Sequence, residues 1–228
     1  MELIGVTEGV LRYLRAHIIT GAIAPGQKLN EIELSTSLGI SRPPLREAFR
    51  VLEKEHLLVS APRKGCVVSD LSIEDCRNVY GVRAMMECYA VETLALRGIR
   101  ELPQVRAALE KTDRLVSPDE NDAYARYEYL RVIADFHIKL VEAAGNLILD
   151  QLFISIFPTL ARYQSVYTYI PSLMEESRIE HGQVLRYIKE GHHAKAKELL
   201  DHHINKFVEL IVENIKSKSN GKKKSGVA

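Results

Sequence analysis

The 228-residue sequence predicts a mostly α protein, an N-terminal winged helix-turn-helix followed by a C-terminal all-α helical bundle. Three observations predict it. Residues 31–58 hold a short helical pattern, a glycine and a second helical pattern that carries arginines. A strand pair around a Pro- and Gly-containing turn follows at 59–68. Helical periodicity alone then runs from about residue 73 to about residue 215.

In the first pattern Leu34 and Leu38 lie four apart on one stripe, and Gly39 supplies the backbone freedom that stops a helix. Ser41 is the candidate cap of the next helix. Pro43 and Pro44 fall in its first turn, where a missing N–H costs nothing. Leu45, Phe49 and Leu52 follow at helical spacing and are expected to bury against the first helix. Arg42, Arg46 and Arg50 recur every four residues, which lines them on one face away from that seam. A helix with guanidiniums at its N-terminal end suits the major groove of DNA, where a bidentate arginine–guanine contact gives ~1–3 kcal/mol of discrimination. In the wing, Arg63 and Lys64 supply positive charge and Gly65 lets the backbone approach phosphates or the minor groove. A plain amphipathic hairpin with a solvated basic face would also show three arginines, but turn, cap, arginine row and wing in this order argue against it.

The segment Ile18-Ile-Thr-Gly21-Ala-Ile23-Ala-Pro25-Gly26-Gln-Lys-Leu29-Asn-Glu31, continued by Ser41-Arg42-Pro-Pro-Leu45-Arg46-Glu47-Ala48-Phe49-Arg50-Val-Leu52-Glu53, resembles the winged-helix domain of GntR-family bacterial transcription regulators. The resemblance covers residues 8–70. It implies that Arg42 and Arg46 read guanine edges, that Ser41 holds a phosphate, and that Gly65 brings the wing tip to the minor groove. The chain departs from the family at Pro43-Pro44, where many relatives carry hydroxyl or small residues, so their operator sequences do not transfer.

Bulk charge says little. The formal net charge is +1, and the first 70 residues hold nine Lys/Arg against eight Asp/Glu. The positive charge is local: residues 41–50 carry three arginines and one glutamate. Modest non-specific affinity is expected, with specificity resting on a homodimer that grips two half-sites of double-stranded DNA. Cys66, Cys76 and Cys88 show no CxxC pairing, and their odd number argues against a disulfide framework. No apolar run approaches the roughly 18 residues that cross a bilayer, and the first residues lack the basic and apolar regions of a signal peptide. A cytoplasmic protein with no membrane partner is expected.

Three segments follow: a DNA-binding domain at 1–70, an effector-binding and dimerisation domain at 71–216, and a basic tail at 217–228 expected to be disordered. Ser72 and Asp75 form a variant capping box that opens the second domain. Helices are expected near 73–98, 102–116, 121–144, 147–168, 171–190 and 193–216, with breaks at Gly98, Ser117-Pro118, Gly145-Asn146, Pro171 and Gly191.

Within the bundle His137, His181 and His203 each lie on the apolar stripe of their own helix. Inward imidazoles from three helices suit a divalent metal; equally, each is a core histidine with its own hydrogen-bond partner. Tyr80-Gly-Val-Arg83-Ala-Met-Met-Glu87-Cys-Tyr-Ala90-Val-Glu92, Phe136-His137 with Ala144-Gly145-Asn146, Glu180-His181 and His203-Ile204 are similar to the FCD effector domain of the FadR-type GntR subgroup. In its metal-binding members an aspartate and three histidines hold the ion. His137, His181 and His203 match the histidines, and Ile133 stands where the aspartate belongs. Asp135 projects to the far side of the helix at about 100° per residue. The resemblance therefore implies one divalent transition metal per chain (Zn, Ni or similar), held by three histidines plus water or ligand, or a site that binds the ion weakly or has lost it.

The family also implies a small organic acid as effector. Arg83 is the candidate partner for its carboxylate, with a salt bridge to Glu87 at i+4 as the alternative. Tyr163, Tyr167 and Tyr169 are candidates to shape the cavity or to serve as core or interface aromatics, and Tyr163 is the one assigned to the effector. The expected function is a ligand-responsive transcription regulator, a repressor, binding a palindromic operator as a dimer. One alternative is a dimeric regulator without metal or effector. A metal-dependent small-molecule enzyme finds no HExxH, no nucleophile with an adjacent base and no Gly-rich phosphate loop.

Overall fold

The computed structural model describes residues 5–61 and 65–225. The chain divides into two compact units, Met1–Asp70 with Pro118–Glu128, and Leu71–Ser117 with Tyr129–Ala228. The sequence predicts a single boundary near residue 70, and the placement of 118–128 in the first unit departs from it. There Tyr124 meets Tyr13 and stands edge-on to His17, with ring centroids 6.4 and 5.7 Å away.

The first unit contains α1 (Val6–Ile19), β1 (Lys28–Leu29), α2 (Glu31–Leu38), α3 (Arg42–Lys54), β2 (Leu58–Ala61) and β3 (Gly65–Val68). Leu11, Leu14 and Ile18 form the buried stripe of α1, which packs against α3; α3 buries Leu45, Ala48, Phe49 and Leu52. The wing strands pair antiparallel, Val59 opposite Val67 and Ala61 opposite Gly65. The short strand β1, not expected from the sequence, adds to the other edge of β3 and gives the order β1-β3-β2. Asn30 caps α2 by accepting from the Ile32 N–H at 2.9 Å, and Gly39 ends that helix at φ 64°.

One expected cap does not form. Ser41 sits at the N-cap of α3, but its side chain makes no capping hydrogen bond. The reason is in the sequence. An N-cap hydroxyl accepts from the second or third helical N–H, and Pro43 and Pro44 occupy both positions. Of the wing residues assigned to DNA, Arg63 and Lys64 lie outside the described residues.

The second unit is built from α4 (Ile73–Leu96), α5 (Pro103–Thr112), α7 (Leu147–Gln164), α8 (Pro171–Lys189), α9 (His193–Ser225) and most of α6 (Ala123–Glu142). Its core joins Tyr80 and Leu94 of α4, Phe136 of α6, Val184 of α8 and Leu200 and Phe207 of α9. Ser72 caps α4 as expected, accepting from the Asp75 N–H at 2.9 Å. Three helix ends differ from expectation, the first being α5, which stops at Thr112 rather than near 116. The α7 helix runs through Pro158 and stops at Gln164 rather than near 168, with Ser165 as its C-cap. The α9 helix continues through Ser225, over most of the expected tail, because lysine and serine tolerate helix and Gly221 costs only about 1 kcal/mol. Among the described residues no helix is long and apolar enough to cross a membrane.

Leu52 is 0% exposed at the seam where α1 and α3 meet. Replacing it by alanine is expected to destabilise the first unit by about 2–5 kcal/mol. Urea unfolding followed by far-UV circular dichroism measures this, and a loss below about 1 kcal/mol would contradict the packing described.

Candidate DNA-reading face and candidate metal centre

Arg42, Arg46 and Arg50 are all exposed, with side chains 50%, 54% and 69% accessible. The first two are not loose. Glu31, at the start of α2, accepts from Arg46 Nε at 2.8 Å and from Arg42 Nη2 at 3.5 Å. The Arg46 hydrogen bond brings the Glu31 carboxyl below its usual range. One carboxylate thus holds two guanidiniums side by side at the N-terminal end of α3. Arg50 pairs with Glu47 one turn back, at 2.6 Å. The sequence does not single out Glu31: nothing in a linear pattern says which acid of one helix faces an arginine of the next. Gly65 takes φ 79° at the start of β3, the left-handed region that glycine enters freely.

In the second unit His137 of α6, His181 of α8 and His203 of α9 come together. All three are buried, and one ring nitrogen from each lies within 4.8 Å of the others. His181 Nε2 and His203 Nε2 stand 3.2 Å apart, close to the ~3.3 Å between two nitrogens bound tetrahedrally to zinc. Phe136 stacks flat on His181 at 4.0 Å, fixing that ring. Two carboxylates stand behind the cluster, Glu87 Oε2 at 2.7 Å from His137 Nδ1 and Glu180 Oε2 at 2.6 Å from His203 Nδ1. The geometry is compatible with either reading of the histidine stripes. The rings converge, and two of them also have partners.

Arg83 takes the alternative considered for it. Its Nε donates to Glu87 Oε1 at 2.7 Å, and both side chains are sealed from solvent. Its Nη2 has no partner among the described residues. Tyr163 is tied elsewhere: its hydroxyl donates to the Ser72 carbonyl at 3.1 Å and accepts from the Ser72 N–H at 3.2 Å. Tyr167 is a core aromatic, stacked on Phe207 at 4.3 Å. A cavity of about 540 Å³ opens beside the triad, lined among others by Tyr129, Ile133, Met174, Arg178 and His181. Neither Arg83 nor Tyr163 lines it. The arginine that does is Arg178, which pairs with Asp113 at 3.0 Å and with Glu175. Ile133 faces the cavity, and Asp135 pairs with Lys111 instead, as its helical phase requires.

Residues 6–68 match the family described as bacterial regulatory proteins, gntR family, and residues 78–206 match the FCD domain. The chain belongs to the GntR family of regulators with an FCD domain. Like its relatives, this GntR protein is a transcription regulator and not an enzyme. It is 29% identical over 194 residues to an uncharacterized HTH-type transcriptional regulator, YdhC, of Bacillus subtilis, covering 84% of each chain. It is 36% identical over 115 residues to the HTH-type transcriptional repressor RspR of Escherichia coli, covering 46% of this chain and 50% of that one. A solved GntR regulator from Rhodococcus shares the fold, with a TM-score of 0.71 at 22% identity over 91% of this chain and 97% of that one.

The electrostatics of the FCD domain follow from burial. Desolvation pushes His137, His181 and His203 below the usual imidazole range, assisted by Arg83 and by one another; Glu180 opposes this at His203. Burial works against the Glu180 carboxylate, yet hydrogen bonds from His203 and Lys206 bring it down to about 2. Burial raises Glu87, with Arg83 pulling the other way. The imidazoles thus stay neutral in the folded chain and protonate first in the unfolded one, so their stability contribution is present above pH ~6.5 and lost below it. Glu180 adds a contribution present above its ordinary carboxylate range and lost as pH falls toward about 2. Chelator-treated protein is expected to lose stability progressively below pH ~6.5, and less steeply in a His181→Phe variant. Denaturant midpoints measured from pH 8 to 5 check this; a flat profile in the parent protein contradicts it.

Proposed function

We propose that this regulator is a repressor that binds a two-fold symmetric operator as a homodimer in the cytoplasm, and that a small carboxylate effector in the FCD domain, held beside a divalent metal, releases it. The observation that carries the DNA reading is the Arg42–Glu31–Arg46 arrangement at the exposed start of α3. Glu31 holds both guanidiniums forward before DNA arrives, which lowers the side-chain entropy lost on binding. The Ser41 hydroxyl, denied an intrahelical donor by the prolines, is left for a phosphate. Relatives named as repressors, RspR and GlaR of Escherichia coli, favour repression over activation.

His137, His181 and His203 fit a borderline divalent ion: three buried imidazole nitrogens, two with carboxylates behind them. When bound, such an ion supplies a Lewis-acidic anchor for a ligand carboxylate. The adjoining cavity gives that ligand its room, with Ile133 leaving a coordination position open where the family has an aspartate. Arg83 acts from behind the triad through Glu87, and Arg178 replaces it as the arginine within reach of an effector.

A second copy of the chain is supported by the faces of α4 and α7. These helices pack together through Met86, Ala90, Leu149 and Phe153. They turn Met85, Tyr89, Leu147, Ile148, Leu152 and Ile154 outward, and no charged residue of α7 is exposed. On α4 the exposed Glu92 shares the stripe of Met85 and Tyr89 but is paired with Lys197, so the apolar patch meets its own image across a two-fold axis with little repulsion. The exposed parts of those side chains amount to several hundred Å², on the order of the ~800 Å² each partner gives to a stable interface.

Arg46→Ala is expected to weaken operator binding roughly 5- to 150-fold with unchanged circular dichroism, measured by gel shift on the DNA flanking the gene. Undiminished affinity would sink the reading. Met85→Glu combined with Leu152→Glu is expected to give a monomer by sedimentation velocity, and a parent protein already monomeric at micromolar concentration contradicts the dimer.

A further inference from the structure

Two of the three converging histidines are backed by the same arrangement, built from different helices. His137 Nδ1 faces Glu87 Oε2, and Glu87 Oε1 accepts from Arg83 Nε at 2.7 Å. His203 Nδ1 faces Glu180 Oε2, and Glu180 Oε1 accepts from Lys206 Nζ at 2.7 Å. Each chain reads cation, carboxylate, imidazole. The first lies wholly within the core, and the second reaches its edge, where the Glu180 side chain is 14% exposed.

An ionised carboxylate only accepts hydrogen bonds, so a neutral imidazole facing one must carry its proton on Nδ1. Its Nε2 is then a bare lone pair. The cation on the far oxygen of each carboxylate favours the ionised form. His181 differs: among the described residues no carboxylate bonds it, and its Nε2 lies 3.2 Å from the His203 Nε2. Two lone pairs do not face each other at that distance, so in the metal-free chain His181 carries its proton on Nε2 and donates it to His203.

We propose that Glu87 and Glu180 are positioning residues, which lock the tautomer and ring orientation of His137 and His203 so that both Nε2 atoms present lone pairs to one point, with Arg83 and Lys206 bonded to their far oxygens. His181, which no carboxylate bonds among the described residues, is the unlocked member: were an ion bound, its Nε2 would have to present a lone pair and its proton would sit on Nδ1. The metal half of this statement rests on the triad being a metal site; the tautomers do not.

The test uses full-length, chelator-treated protein labelled with ¹⁵N-histidine, read by long-range ¹H–¹⁵N correlation at pH 7.5, alongside Zn²⁺ and Ni²⁺ affinity by chelator competition. The parent protein is expected to show His137 and His203 protonated on Nδ1 and His181 on Nε2. Glu180→Gln is expected to release the His203 tautomer, leave that of His137 unchanged, and weaken metal binding ~10- to 100-fold. Glu176→Gln removes another carboxylate, one bonded to Lys206 at 3.0 Å and touching no histidine of the triad; it is expected to change neither readout. An Nε2-protonated His203 in the parent protein, or a Glu180→Gln variant with unaltered tautomer and unaltered affinity, overturns the proposal. The stated tautomers without metal uptake would sink the metal reading and leave the positioning roles supported.

Discussion

A guanidinium cut off from water organises the FCD half of this protein. Arg83 is 2% exposed and Glu87 0%. Neither charge survives alone at such depth, because removing one partner leaves the other uncompensated at a cost of about 3–5 kcal/mol. The pair is anchored on one helix at i and i+4, so α4 brings both charges into the core in fixed register. Glu87 has one oxygen left over, and His137 of α6 takes it. From there the chain of constraint runs through the imidazoles to α8 and α9. The Phe136 ring fixes His181, Glu180 fixes His203, and Lys206 fixes Glu180. Three helices are thereby specified relative to α4 by directional bonds rather than by apolar packing alone.

The same logic operates, more weakly, at the reading helix. Glu31 lies at the surface, so its attraction for Arg42 and Arg46 is screened and contributes little to stability. Its consequence is geometric. Two long side chains that would otherwise sample many rotamers are gathered over the first turn of α3, where DNA would meet them. With a formal charge of +1 the chain is nearly neutral, so the positive charge at the start of α3 is a matter of local placement rather than of a broad positive field. The proline pair at 43 and 44 serves the same end: it starts the helix without using the Ser41 hydroxyl.

Periodic and punctuated features are legible in the order of residues alone. The Leu45, Phe49 and Leu52 stripe, the Gly39 stop, the Ser72 cap and the inward phase of the three histidines all follow from spacing along a 3.6-residue helix. Ser41 has the residue type of a cap and still does not act as one, because an N-cap needs donors as well as an acceptor, and the donors here are prolines. The two-residue strand β1 is too short to show any alternation. Arg83 stands out as a ligand partner in the linear pattern and Arg178 does not, since helical phase shows that a residue lies inward but not which cavity or ion pair it meets.

The sequence by itself determined a winged helix-turn-helix ahead of a helical bundle, an outward arginine row, and three histidines turned inward. Those are properties of single elements, fixed by the dihedral preferences of glycine and proline and by the repeat of one helix. Only the tertiary structure decided that Glu87 and Glu180 stand behind two of the imidazoles, that residues 118–128 join the first unit, and that a cavity opens beside His181. Each of these joins residues about 20 to more than 100 positions apart, and a contact between distant helices depends on how their cores interlock, which no local periodicity encodes.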